Sequence, residues 1–222
     1  MDYTVDMQRA IALAEKGLGK TAPNPIVGAV IIDSTGSIIA EGFHDRMKSP
    51  DHAEVVAIKA AGDKTKGSTI VVTLEPCNHT GKTAPCAQAI IDAGITTVVF
   101  AVSDPNKEAA GGAAALRAAG ITVIEGVLKD EAAFSNRAWL MKIRKNRPFF
   151  TWKVAATLDG KVAAADGTSK WITNDASRAD VQLLRRQADA ILVGTNTVIA
   201  DNPHLVPRGD FAGYAHNPIR VV

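Results

Sequence analysis

Cys86-Ala87-Gln88-Ala89-Ile90-Ile91-Asp92-Ala93-Gly94-Ile95-Thr96-Thr97-Val98-Val99-Phe100-Ala101-Val102 carries the pattern that decides the fold. An apolar helical run stops at Gly94, and Ile95-Thr96 leads into a strand from Thr97 to Val102. The same helix–Gly-Ile-Thr–strand text returns at Ala119-Gly120-Ile121-Thr122, which runs into Val123-Ile124. Two such units in succession predict parallel strands joined by right-handed crossovers. The strands are almost continuously apolar, as strands are in a sheet covered on both faces.

Working outward from this stretch, the preceding text supplies the rest of one α/β domain. Thr69-Ile70-Val71-Val72-Thr73-Leu74 reads as a further strand. Val27 to Ile32 and Ile38 to Ala40 flank Asp33-Ser34-Thr35-Gly36 and predict a β-hairpin. Val5 to Leu18 has apolar residues at helical spacing, and Ser49-Pro50-Asp51 is a helix-start signal. After Arg147 the text changes, and Pro148 to Thr157 predicts the first strand of something new. The expected domains are therefore residues 1–147 and 148–222.

Composition narrows the class. The chain has 222 residues, 46% hydrophobic and 22% charged, with a net charge of +2. That is an ordinary globular balance, and no apolar run approaches the ~18 residues of a membrane span. The small net charge argues against a nucleic-acid partner, and Lys142-Ile143-Arg144-Lys145-Asn146-Arg147 reads as a solvated linker. Met1 to Asp6 lacks the basic and apolar regions of a signal peptide, so a cytoplasmic protein is expected.

Open α/β sheets bind ligands beyond the carboxyl ends of their strands. Two strands here end in Leu74-Glu75-Pro76-Cys77 and Ser103-Asp104-Pro105-Asn106. Cys77 and Cys86 are the only cysteines, and His52-Ala53-Glu54 lies upstream. One imidazole and two thiolates form the protein part of an open tetrahedral zinc site. Glu54 does not share a helical face with His52, so it suits proton transfer to and from a water there better than metal ligation. This set matches a zinc deaminase, with His52, Cys77 and Cys86 as ligands and Glu54 as the catalytic acid–base.

Eight residues separate the cysteines, against two in the general deaminase pattern H-x-E…P-C-x-x-C. His79, in the intervening loop, is an alternative ligand. A Cys77–Cys86 disulfide and a purely structural zinc are the other readings, the first disfavoured in a reducing compartment and the second by the want of a fourth protein ligand. Asp104 and Asn106 are candidates for substrate polar groups, and Pro23-Asn24-Pro25 forms a rigid loop able to present the Asn24 amide.

Pro23-Asn24-Pro25-Ile26-Val27-Gly28, His52-Ala53-Glu54 and Thr73 to Cys86, with its long cysteine spacing, together resemble the bifunctional riboflavin-biosynthesis deaminase/reductase family. Ser103-Asp104-Pro105-Asn106 matches as well. The resemblance implies a three-layer cytidine-deaminase-like domain with one zinc. Its expected substrate is a diaminopyrimidinone carrying a phosphoribosylamino group, whose 2-amino group is replaced by water. Asn24, His79, Lys82, Asp104 and Asn106 would surround that small molecule, with Lys82 at its phosphate. A cytidine or tRNA-base deaminase and a non-catalytic zinc-stabilised module are the competing readings. The first would call for the short cysteine spacing and an aromatic-lined surface, and only 5% of residues are aromatic.

The resemblance extends past Arg147. Thr157-Leu158-Asp159-Gly160-Lys161, Gly167 to Thr173 and Gly194 to Pro203 resemble the start of the family's reductase domain, which has a dihydrofolate-reductase-like α/β fold and uses NADPH. By that match Ala155, Trp171, Thr197 and Asp201 would contact the cofactor, and Ser169, Arg185, Leu205 and Arg208 the substrate. No G-x-G-x-x-G motif is present to name a nucleotide independently. The text stops at Pro218-Ile219-Arg220-Val221-Val222, which reads as the middle of a strand, so a fragment of a bifunctional protein is expected, and the resemblance implies a homo-oligomer.

Overall fold

Val71 and Val99 face one layer of helices, and their neighbours Val72 and Phe100 face another. This period-two alternation in strands apolar on both sides organises the first of two compact units, Met1–Phe149 and Phe150–Val222. The computed structural model describes residues 1–80, 84–209, 212 and 217–222. In the first unit, β1 (Gly28–Ile32), β2 (Ile38–Phe43), β3 (Thr69–Leu74), β4 (Thr97–Val102) and β5 (Thr122–Glu125) form one sheet in the order β2-β1-β3-β4-β5. β1 is antiparallel to β2 and β3, whereas β3, β4 and β5 run parallel. The two Gly-Ile-Thr units thus deliver the parallel half of the sheet.

One face is covered by α2 (Ala53–Ala61), α3 (Cys86–Asp92) and α4 (Gly112–Ala118), through Ala57, Ile90 and Leu116. The other is covered by α1 (Thr4–Glu15), α5 (Lys129–Ser135) and α6 (Arg137–Lys145), through Met7, Ala10, Leu13, Ala132 and Leu140. The result is a three-layer α/β unit. The β1–β2 turn is closed by Asp33, whose Oδ1 accepts from the Thr35 and Ser37 backbone N–H groups at 2.8 and 3.0 Å.

The helix expected to start at Ser49-Pro50-Asp51 begins instead at Ala53. Ser49 Oγ accepts from the Asp51 N–H at 3.1 Å, a local turn that removes it from any capping role, and Pro50 disfavours helical geometry at Ser49. His52 is the residue before the first turn, extended at φ −74° and ψ 164°, and its carbonyl accepts from Val56.

Where α2 crosses β2, the contact is backbone on backbone. A β-carbon on Gly42 would lie 2.3 Å from the Ala53 carbonyl oxygen and 2.7 Å from the Ala57 nitrogen. No side chain fits there, so the helix bearing Glu54 sits as close to the sheet as the chain allows.

The second unit contains α7 (Asp175–Gln187), β6 (Ala190–Leu192), α8 (Thr195–Asp201) and β7 (Ile219–Val221). β6 and β7 pair in parallel. Asn174 Oδ1 caps α7 by accepting from the Ser177 N–H at 2.9 Å, which satisfies one of the helix's unpaired donors. The strand expected over Pro148–Thr157 does not form among the described residues. A strand persists only where its backbone groups find a ladder, and no described segment pairs with this one.

Gly42→Ala is expected to lower stability by about 1–3 kcal/mol through overpacking. Ser34→Ala, at the exposed hairpin tip, should change it by less than about 0.5 kcal/mol. Urea denaturation of the two variants beside the parent checks both figures.

Candidate active site

The site is built from chain ends of secondary structure, where backbone direction changes and side chains converge. Cys77 follows β3, Cys86 opens α3, and His52 precedes α2. The imidazole Nδ1 lies 3.6 Å from Cys77 Sγ and 3.3 Å from Cys86 Sγ, and all three atoms are within 4.8 Å of one another. A tetrahedral ion with Zn–S of about 2.3 Å and Zn–N of about 2.0–2.1 Å requires N···S edges of about 3.6 Å. The triangle therefore fits zinc held through Nδ1 of His52. Among the described residues this is the only cluster of three such donors.

The sulfurs are prepared for ligation. Cys86 is fully buried and its backbone N–H donates to Cys77 Sγ at 3.4 Å. The hydrogen bond from the Cys86 thiol, with those of His52 and the Cys86 N–H, pulls Cys77 down to about 4. That same bond, together with burial, pushes Cys86 up. A cation between the sulfurs would displace the remaining thiol proton.

Glu54 stands beside this triangle in the first turn of α2. It is buried, and among the described residues its Oε2 has no hydrogen-bond partner. Burial raises its pKa to about 6, against the opposing pull of His52. A buried, unpaired carboxylate oxygen costs free energy that the fold alone does not recover, as is common where a ligand completes the set. A carboxyl poised near neutrality is suited to exchange protons.

Residues 3–102 match the family model described as the cytidine and deoxycytidylate deaminase zinc-binding region, and residues 148–222 match the RibD C-terminal domain. The chain is 51% identical over 206 residues to the riboflavin biosynthesis protein RibD of Mycobacterium tuberculosis, covering 92% of this chain and 60% of that protein. It is 48% identical over 217 residues to RibD of Aquifex aeolicus, covering 97% and 60%. The crystal structure of a diaminohydroxyphosphoribosylaminopyrimidine deaminase/5-amino-6-(5-phosphoribosylamino)uracil reductase from Thermotoga maritima superposes with a TM-score of 0.88. Identity there is 47%, with 98% of this chain and 62% of that one covered. The chain belongs to the RibD family. It spans about 60% of the length of the curated RibD relatives named here.

Against the RibD pattern, the candidate substrate residues fall into place unevenly. Asn24, Asp104 and Asn106 are half-buried, and His79 is exposed. Asp104 Oδ1 accepts from the Asn106 N–H at 2.8 Å, so the two form one turn after β4. Burial raises the Asp104 carboxyl above its ordinary value, while His79 lies near enough to pull it the other way. Lys82 lies outside the described residues. No helix among the described residues is long and apolar enough to cross a membrane.

In the second unit, Ser169 and Trp171 line one groove with Thr157, Asp159 and Lys161. Arg185 Nη1 donates to the Val206 carbonyl at 3.1 Å, and burial with the Arg208 charge lowers its pKa. Leu205 is buried next to that segment. The structure thus brings Arg185, Leu205 and Arg208 together. Thr197 and Asp201 lie one turn apart on α8, both exposed, and Ala155 is not among the groove residues.

Sequence reasoning missed two side chains. His44, just after β2, is buried with its ring edge on His52, centroids 5.3 Å apart. Burial lowers its pKa, so the ring is neutral. Its Nδ1 lies 2.9 Å from the Asp51 carbonyl and must donate, leaving Nε2 to accept from Asn24 Nδ2 at 3.4 Å. The Asn24 amide nitrogen is thereby turned toward His44. Its place eight residues before His52, at a strand end, was the available signal. Asn136, between α5 and α6, is buried and pairs with both backbone groups of Ile26, accepting at 3.0 Å and donating at 2.8 Å. It acts as a one-residue strand partner to the Asn24 loop, and nothing in the local text marks it.

Asn136→Ala should cost about 2–4 kcal/mol, because two buried backbone groups lose their partners. Asn136→Asp keeps the acceptor but sets a buried carboxylate oxygen against the Ile26 carbonyl, so it should be less stable than the parent in thermal or urea denaturation, the more so as pH rises.

Proposed function

We propose that residues 1–147 form a zinc-dependent aminohydrolase acting on 2,5-diamino-6-(5-phosphoribosylamino)pyrimidin-4-one in riboflavin biosynthesis, in the cytoplasm. Residues 148–222 belong, in this reading, to a reductase domain that uses NADPH on the ribosyl side chain of the product. The observation that carries the reading is the His52–Cys77–Cys86 triangle with Glu54 beside it, whose Oε2 has no partner among the described residues. Membership of the RibD family supports the choice of substrate.

Zinc, when bound, would act as a Lewis acid that makes water a nucleophile near neutral pH. His52, Cys77 and Cys86 would hold it, the two thiolates keeping its net charge low. Glu54 accepts the proton of the attacking water at Oε2 and delivers it to the ring nitrogen beside C2 as that carbon becomes tetrahedral. It then takes the proton of the new C2 hydroxyl and passes it to the departing amine, so that the C2–N bond breaks, the 2-oxo group forms, and water and the 2-amino substrate become the aminouracil and ammonia. Asp104 and Asn106 hold polar groups of the heterocycle, Asn24 offers an amide whose direction His44 sets, and His79 and Lys82 are the remaining proposed substrate contacts. In the second unit, Arg185 and Arg208 suit a phosphate, Ser169 and Leu205 complete that substrate set, and Ala155, Trp171, Thr197 and Asp201 are the proposed NADPH contacts.

Glu54→Gln is expected to keep one zinc per chain by elemental analysis and to lose at least about a hundredfold in ammonia release. Near-parental turnover by that variant would remove Glu54 from the mechanism. The parent should release ammonia from the diaminopyrimidinone and not from cytidine. Turnover of cytidine instead would overturn the substrate assignment. Cys86→Ser should lose zinc, measured in the same preparations.

A further inference from the structure

The segment between β4 and α4 carries Asp104 and Asn106 at its start and lays Ala109 against Cys77 and Cys86 near its end. Both ends of this segment are held by one side chain. Glu75, buried at the carboxyl end of β3, accepts from the Asp104 N–H through Oε2 at 3.1 Å and from the Ala113 N–H through Oε1 at 3.0 Å. Its own N–H donates to the Val102 carbonyl at 2.8 Å, so its backbone is locked to β4 as well.

We propose that Glu75 is a positioning residue that clamps the 104–113 segment and so sets the substrate-binding carboxylate and amide of Asp104 and Asn106 against the metal triangle. The inference rests on the proposed substrate role of Asp104. Three observations support the clamp. The two carboxylate oxygens serve opposite ends of one segment, one each, so neither end moves without breaking a charge-assisted bond. Asn78 N–H donates to the Ala109 carbonyl at 2.9 Å, which ties the later part of the segment to the chain just after Cys77. A β-carbon on Gly112 would lie 1.7 Å from the Pro76 carbonyl oxygen, so the end of the segment is pressed backbone to backbone on the strand exit that carries Glu75 and Cys77. Glu75 is therefore the joint at which a metal ligand, the cover over the thiolates and the substrate turn share one support.

Glutamine in its place keeps shape but can accept through only one of its two terminal atoms, and its amide nitrogen then faces an N–H. Glu75→Gln, Asp104→Asn and the double variant are made in the whole chain. Amide hydrogen exchange is followed at Asp104 and Ala113, zinc is counted, and KM and kcat are measured for the diaminopyrimidinone together with calorimetric Kd for the aminouracil product.

The expected result for Glu75→Gln is one zinc, faster exchange at one or both amides, and KM and Kd raised roughly tenfold with kcat much less affected. The double variant should bind no more weakly than Asp104→Asn, because the clamp acts through that turn. Parental exchange and binding in Glu75→Gln would overturn the proposal. So would loss of zinc with kcat and KM damaged alike, which would make Glu75 a support for Cys77 only. Parental binding by Asp104→Asn would instead overturn the substrate role of Asp104, while the exchange data would still report whether the clamp exists.

Discussion

Backbone cannot approach backbone closely where a side chain intervenes, and the active-site half of this protein depends on two places where none does. At Gly42 the N-terminal end of α2 is pressed against β2, and at Gly112 the start of α4 is pressed against the carbonyl of Pro76. The first contact sets the depth of Glu54 and of His52 just ahead of it. The second sets the strand exit that carries Cys77. Three ligand atoms from three separate chain segments meet within 4.8 Å only because these elements are held at fixed depth on the same face of the sheet.

The unit also absorbs several polar side chains that a plain hydrophobic core would reject. Glu54, Glu75, His44 and Asn136 are all buried. Three of them are matched to specific partners: Glu75 to two backbone N–H groups, Asn136 to both backbone groups of Ile26, and His44 to the Asp51 carbonyl and the Asn24 amide. Each satisfied bond removes most of the desolvation cost and restricts the direction of a loop that reaches the site. Glu54 departs from this pattern, with one oxygen left unmatched among the described residues, beside the sulfurs. The contrast separates side chains that hold the loops from the one to which the proposed proton transfer is assigned.

Legibility in the sequence followed the range of the interaction. Apolar runs, glycine stops and the Gly-Ile-Thr repeat are local, and they were enough to predict the hairpin, the parallel strands and helices on both faces. The helix start at Ser49 was misplaced because the serine hydroxyl is used by Asp51 within a turn, a competition that the capping signal does not reveal. The expected strand over Pro148–Thr157 has strand-like residues but no described partner. A local propensity without a ladder leaves backbone groups unpaired, so it does not become a strand.

The sequence by itself determined the donor chemistry: two cysteines, a histidine and a glutamate at spacings that belong to a zinc deaminase, with a cysteine loop of RibD length. It also determined that Cys77 and the Asp104–Asn106 turn would follow the carboxyl ends of parallel strands. Only the tertiary structure decided that Nδ1 of His52 faces the sulfurs, that His44 orients Asn24, that Asn136 stands in as a strand partner for Ile26, and that Glu75 holds both ends of the 104–113 segment. Those pairings join residues as many as 110 positions apart. No local pattern encodes them, because they arise from which polar groups remain unpaired after the sheet and its two helical layers have closed.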